Sequence, residues 1–233
     1  MNLTKLILGL RFFLVILGAF LMIFLFIESK EIEVTIPSLK NYYLNFYYED
    51  TAAKNSVAAI YLNYRVFDTL FEALMLMVSV MEVIHISWGN KHLIQRSILR
   101  KEFYKNNQSE VVLHFVGIIF PFLLMIAFYI IINGHNSPGG GFQGGAILAT
   151  ALIARYLIYP NEYLDLNILE KLEKFLFVII LSVPIFFIFM NDFSGNFIFN
   201  QIYLVTMNIL IGFKVFFGLG VILYRFIFFE RLN

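Results

Sequence analysis

Six stretches of this chain read as helices that cross the ~30 Å hydrocarbon core of a bilayer: Leu6–Ile27, Val66–Trp88, Val111–Ile132, Gly141–Tyr159, Phe175–Met190 and Gln201–Phe229. Lipid offers the backbone no hydrogen-bond partner, so a spanning segment must satisfy its own amides. The expected fold is therefore an all-α polytopic membrane protein with about six transmembrane helices. The composition agrees: 14% of the 233 residues are charged and 60% hydrophobic, against about 25% charged in soluble domains. Abundant Phe (28) and Tyr (13) suit lipid-facing surface and interfacial belts. The net charge of +1 implies no nucleic-acid partner. The chain has 0 cysteines, so it holds no disulfide, iron–sulfur cluster or catalytic thiolate of its own. The first apolar run is too long for a cleaved signal peptide and lacks a small-residue cleavage site, so it reads as a retained helix.

Between the third and fourth runs lies Gly134–Gly145, GHNSPGGGFQGG, with six of the 14 glycines and one of the five prolines. Glycine permits backbone angles closed to other residues and lets a neighbouring helix come close, while Pro138 fixes its own φ and removes a donor. The expectation is an irregular turn into a tightly packed helix, made by Gly134, His135, Pro138, Gly139, Gly140, Gly141, Gln143, Gly144 and Gly145. Of its polar side chains, Gln143 and His135 are expected to reach water before Asn136. Gly139, Gly141 and Gly144 also spell GxGxxG, with Glu162 at about the spacing of a ribose-binding acid. A dinucleotide fingerprint needs a single strand before it and a soluble helix after it. Here a long apolar run precedes, and the nearly all-apolar Ala146–Tyr159 follows. No GK[ST] follows either, which excludes a Walker loop.

The whole stretch resembles the GH.SPGGGFQGG signature of the MnhB/MrpB family, small membrane subunits of Mrp-type cation/proton antiporters. The likeness continues through the small-residue helix AILATAL, Ala146–Leu152. A second element, NILIGFKVFFG over Asn208–Gly218, resembles the N..(I/V)G.KV..G motif near the end of those subunits.

The second span contains Asp68, Glu72, Glu82 and His85. At 100° per residue, Arg65, Asp68, Glu72, Ser79 and Glu82 share about one third of the helix circumference. Charges at membrane depth are costly and normally mark ion or proton paths. Arg65 with Asp68, and Glu82 with His85, also read as surface pairs at the two ends of the helix; Glu72, one turn deeper than Asp68, favours a pathway role. NYRVFDTLFE over Asn63–Glu72 is similar to the YR.(F/L)DT..E motif of the short unit at the C-terminal end of the large Mrp subunit, which occurs separately (MbhE-like) in membrane-bound hydrogenases. After the motif this chain has Glu82 and His85 where members of that family continue in small residues.

The basic run Lys91, Arg96, Arg100, Lys101 and Lys105 places the linker in the cytoplasm by the positive-inside rule. Three segments follow: a two-helix unit over residues 1–90, the linker over 91–110 and a four-helix MnhB/MrpB-like domain over 111–233. In the third span, His114 reads as a packed or interfacial histidine and Pro121 as a bend. Residues 160–174 read as an amphipathic connector and 191–200 as a polar loop. Lys214, near the middle of the last span, must meet a carboxylate, a carbonyl or water, and Glu72 is one carboxylate it could answer.

The proton or ion pathway candidates are thus Asp68, Glu72, Glu82, His85 and Lys214. The chain shows no nucleophile–base set, metal-ligand cluster or cofactor motif, so no catalytic or metal residue and no cofactor is assigned. The resemblance implies a subunit of a multisubunit Mrp-type Na⁺/H⁺ antiporter module in the cytoplasmic membrane, not an enzyme by itself. Its implied partners are other Mrp-type membrane subunits and, in redox-driven complexes, hydrogenase-like subunits. Two alternatives stay open: a structural subunit that seals large proton-translocating subunits together, and a cofactor-binding membrane enzyme.

Overall fold

The structure is a computed structural model that describes residues 39–88, 109–159, 166–194 and 197–229, together with residues 16 and 20. The expected first span, Leu6–Ile27, and the basic linker at 91–108 lie outside the described residues. The chain divides into two compact units, Met1–Tyr42 and Tyr43–Asn233. Of the first, the described part is residues 16 and 20 and the opening turn of α1.

All regular structure among the described residues is helical: α1 (Leu39–Thr51), α2 (Ser56–Ala59), α3 (Val66–Trp88), α4 (Glu110–Asn133), α5 (Gly141–Ile158), α6 (Leu166–Ser194) and α7 (Phe197–Phe229). Five of them are long and apolar enough to span a membrane: α3, α4, α5, α6 and α7. The protein is therefore a multi-pass membrane protein.

α7 organises the bundle, packing against α3, α4, α5 and α6. Half of the spanning part of α5 and of α7 is buried, against 11% of α4. The small residues of α5 explain this, because Gly141, Gly144, Gly145, Ala149 and Ala151 are all buried. Without a hydrophobic drive between helices in lipid, close approach over small residues is what holds spans together.

The entry to α3 is irregular. Asn55 caps α2, its side chain accepting from the Val57 amide at 3.1 Å. The chain then widens into a π turn over Ile60–Tyr64, closed by Arg65 N–H to the Ile60 carbonyl at 2.8 Å. Such a turn shifts the carbonyl pairing of the helix, and side chains answer it. The Thr69 hydroxyl donates to the Tyr61 carbonyl at 2.5 Å, and the Tyr203 hydroxyl of α7 to the Leu62 carbonyl at 2.7 Å. Side-chain hydroxyls re-satisfying freed carbonyls is how a spanning helix tolerates such breaks.

Two expected connectors are instead helical. α6 begins at Leu166, so the charged residues Glu170, Lys171, Glu173 and Lys174 form its first turns and not a surface connector. The expected polar loop at 191–200 is helical at 191–194 and 197–200. For the start of α6 the physical reason is pairing: Glu170 meets Lys174 one turn away and Glu173 meets Lys214 of α7, which lets the helix extend through these charges.

Candidate functional site

The glycine turn is a buried junction between the two halves of the described chain. The His135 carbonyl accepts from the amides of Lys54 (2.9 Å) and Asn55 (3.0 Å). The Asn55 amide group donates to the carbonyls of Gly134 and Ser137, both at 2.9 Å. Asn208, from the second motif, lies under the turn: its Oδ1 accepts from the Tyr61 hydroxyl at 2.7 Å and from the Gly141 amide at 3.0 Å. One buried side chain thus ties together the π turn, the start of α5 and α7. Burial pushes the Tyr61 phenol up to about 12, against the smaller opposing effect of its bond to Asn208.

Space at the turn admits only glycine at several positions. A methyl group on Gly141 would stand 2.5 Å from the Asn208 carbonyl, and one on Gly145 would stand 2.5 Å from the Gly212 carbonyl. One on Gly144 would run into Ile131, and one on Gly140 into the Tyr61 hydroxyl. Gly139 has φ +126°, which favours glycine on backbone grounds. Asn136 and Gln143 are exposed, whereas His135 is buried. The expectation that His135 reaches water is therefore corrected: its carbonyl is needed inside to cap the Lys54–Asn55 amides. Burial, the largest influence, holds its imidazole below the usual histidine range; the nearby Lys54 charge acts in the same direction and the backbone bond at Ile132 opposes it.

The acidic residues of α3 fall in three settings. Asp68 forms an exposed ion pair with Arg65, as expected from their spacing. Glu72 is exposed on the bundle surface and borders a groove of about 470 Å³ with Tyr61, Pro138, Gly139, Phe142 and Gln143. This places a carboxylate beside the glycine turn. Glu82 and His85 are exposed and border a second groove, of about 460 Å³, with Glu170 and Lys174 of α6. His114 is exposed, its Nδ1 2.8 Å from the Glu110 carbonyl one turn back.

Lys214 is buried, 1% exposed, and its ammonium forms an ion pair with Glu173 of α6, itself 0% exposed. The partner is therefore Glu173 and not Glu72. Sequence reasoning missed Glu173 because it counted the residue in a polar connector. Its spacing from Glu170 and Lys174 held a signal: those two pair with each other at 2.5 Å, leaving Glu173 on another face of the helix.

Five apolar helices packed around a glycine-lined turn and a buried ion pair define a polytopic membrane protein. Residues 111–225 match the family described as a domain related to the MnhB subunit of Na⁺/H⁺ antiporter. The chain thus contains a domain similar to the MnhB subunit of Na⁺/H⁺ antiporter. It is 34% identical over 154 residues to an uncharacterized protein of Methanocaldococcus jannaschii, covering 59% of this chain and 56% of that protein. Over 87 residues it is 39% identical to mnhB2 of Staphylococcus epidermidis, named as a candidate antiporter subunit, covering 34% of this chain and 62% of that one. The chain thus spans 56% and 62% of the lengths of these two relatives.

Among solved structures, a chain of the membrane-bound sulfane sulfur reductase, an archaeal respiratory membrane complex, matches with a TM-score of 0.65 and 25% identity. That match covers 94% of this chain and 98% of the other. A chain of the Mrp complex from Dietzia shares the fold, with a TM-score of 0.61 and 15% identity, over 100% of this chain and 27% of that one.

Proposed function

We propose that the chain is a membrane subunit of a multisubunit Mrp-type Na⁺/H⁺ antiporter module, resident in the cytoplasmic membrane and assembled with other Mrp-type subunits. In this reading residues 1–90 correspond to the end of the large Mrp subunit and residues 111–233 to the B subunit. The chain performs no chemistry of its own; it carries part of an ion path, and the parent complex is a respiratory one in which redox energy drives ion movement. The observation that carries the reading is the joint at Asn208. It links the π turn that leads into the motif ending at Glu72, through Tyr61, to the glycine signature and to the α7 motif. The likeness along nearly the whole chain to a subunit of an archaeal respiratory membrane complex supports the same reading.

Glu72 is the pathway residue of this reading. It lies six residues into α3, about 9 Å along the helix axis, exposed beside the glycine turn. A carboxylate at that depth is retained at a cost unless it faces protein or water and works there. Glu72→Gln is expected to leave the complex assembled and to cut cation-dependent proton movement by about tenfold or more, with partial activity in Glu72→Asp. Asp68→Asn is milder, because Asp68 is exposed and paired with Arg65. Full transport by an assembled Glu72→Gln complex removes Glu72 from the path and leaves a purely structural, subunit-sealing role. Co-purification followed by peptide identification decides which complex the chain belongs to.

A further inference from the structure

We propose that the groove between α3 and α6, bordered by Glu82, His85, Glu170 and Lys174, is the mouth of a proton half-channel whose inner end is the buried Glu173–Lys214 pair. The inference rests on the antiporter reading and adds to it a second route, separate from the Glu72 groove.

The geometry starts with α6. Glu170 and Lys174 border the groove and pair with each other at 2.5 Å, partly exposed. Glu173 lies between them in sequence, and on the helix it turns inward to Lys214 of α7. Its Oε1 takes the Lys214 ammonium, while its Oε2 is buried without a hydrogen-bond partner among the described residues. Leu169 packs with Val80 and Ile84 of α3 and Val221 of α7, so the three helices are held together where the groove lies. From α3 the groove receives Glu82 and His85, and from α7 Arg225 stands within electrostatic reach of Glu170. A series of titratable groups thus runs from the bundle surface to its interior within a few residues of α6.

The ligand this series suits is a proton. A metal cation at Glu173 would meet the Lys214 ammonium already held there, and would need several further oxygens. A proton adds to Oε2 and requires neither. The buried pair is also chemically balanced. Burying two charges is costly and their mutual attraction repays only part of the cost, so the charged pair and the neutral acid–amine pair lie closer in energy than in water. Lys214 has an aromatic face at one side, its Nζ lying 5.5 Å from the centre of the Phe177 ring. One cycle then moves one proton. A proton from the groove adds to Glu173 Oε2, giving the neutral acid beside the ammonium. Lys214 releases its own proton to a water molecule on the side away from Glu173 and becomes the amine. The acid proton passes to that amine, which restores carboxylate and ammonium.

The test uses the assembled complex in inverted vesicles, reading cation-dependent proton movement against pH. A pair that only fastens α6 to α7 is replaceable by neutral residues of similar size. Glu173→Gln/Lys214→Met together is therefore the deciding variant: assembly retained with transport down about tenfold or more supports the half-channel, and transport within about twofold of wild type overturns it. If that double variant fails to assemble, Glu82→Gln/His85→Gln decides, since both side chains are exposed. A slower rate with a shifted pH profile supports the mouth, and an unchanged rate and profile overturns it. A wild-type complex that moves no protons in response to cations removes the antiporter reading itself, whereas normal wild-type transport with an indifferent variant removes only the half-channel.

Discussion

A single methyl group at Gly141 tests whether the glycine signature is a packing site. In Gly141→Ala the new carbon would lie 2.5 Å from the Asn208 carbonyl oxygen, 2.9 Å from Ile211 Cβ and 3.0 Å from the Gly212 nitrogen. All three atoms belong to α7, and two are backbone, so no side-chain rotation relieves the clash. α5 and α7 must move apart by an appreciable fraction of an ångström along a face that is otherwise closely packed. Overpacking of this kind costs about 1–3 kcal/mol. The shift also lengthens the Gly141 N–H bond to Asn208, now 3.0 Å, and weakening a buried bond adds about 1 kcal/mol. The expected loss is thus about 2–4 kcal/mol for one methyl group. The assay is reversible denaturation of the purified complex in detergent, with complex yield as a second readout. The matched control is Gly117→Ala on α4, where nothing lies within 4 Å of the added carbon. There the substitution should be neutral or stabilising by up to about 1 kcal/mol, the helix-propensity gain of alanine over glycine. If Gly141→Ala and Gly117→Ala unfold alike, the reasoning from close approach is wrong.

Other outcomes follow from the same junction. Asn208→Leu removes the shared acceptor of Tyr61 and Gly141 and should cost about 2–3 kcal/mol; Tyr61→Phe, which removes one of the two donors, should cost about 1 kcal/mol, both read by the same denaturation. His135 is held neutral by burial, below its ordinary value of 6.5. The unfolded chain therefore takes up a proton first, and stability should fall as the pH drops below that value; denaturation at pH ~7.5 and ~5.5 should show the slope, and His135→Asn should flatten it. On topology, cysteines at Ser109 and Asn136, both exposed, should react with an impermeant thiol reagent from opposite sides of the membrane, Ser109→Cys only in inverted vesicles. Labelling of Ser109→Cys from the outside of intact cells overturns the expected orientation.

Among the described residues, hydropathy located the spans well because the demand it reports is local. Each segment must satisfy its own backbone in lipid, so α3 begins and ends at the residues expected, Val66–Trp88, and α4 and α5 within a residue or so of theirs. The glycine stretch was equally legible, since a run of residues without side chains has few uses beyond tight turns and close helix contact. Where the reading stopped short, charge was the reason. Glu170, Glu173 and Lys174 look like solvated surface in a string of letters, and α6 was expected to start after them. Which carboxylate Lys214 meets depends on how α6 and α7 are rotated about their axes, and no periodicity within either helix records that. The same holds for Asn208, which was visible only as a motif letter. Its role as acceptor for both Tyr61 and Gly141 arises because three distant segments are brought within hydrogen-bond reach of one side chain. Local backbone physics is written along the chain, while the partner of a buried polar group is a property of packing and exists only once the helices have met.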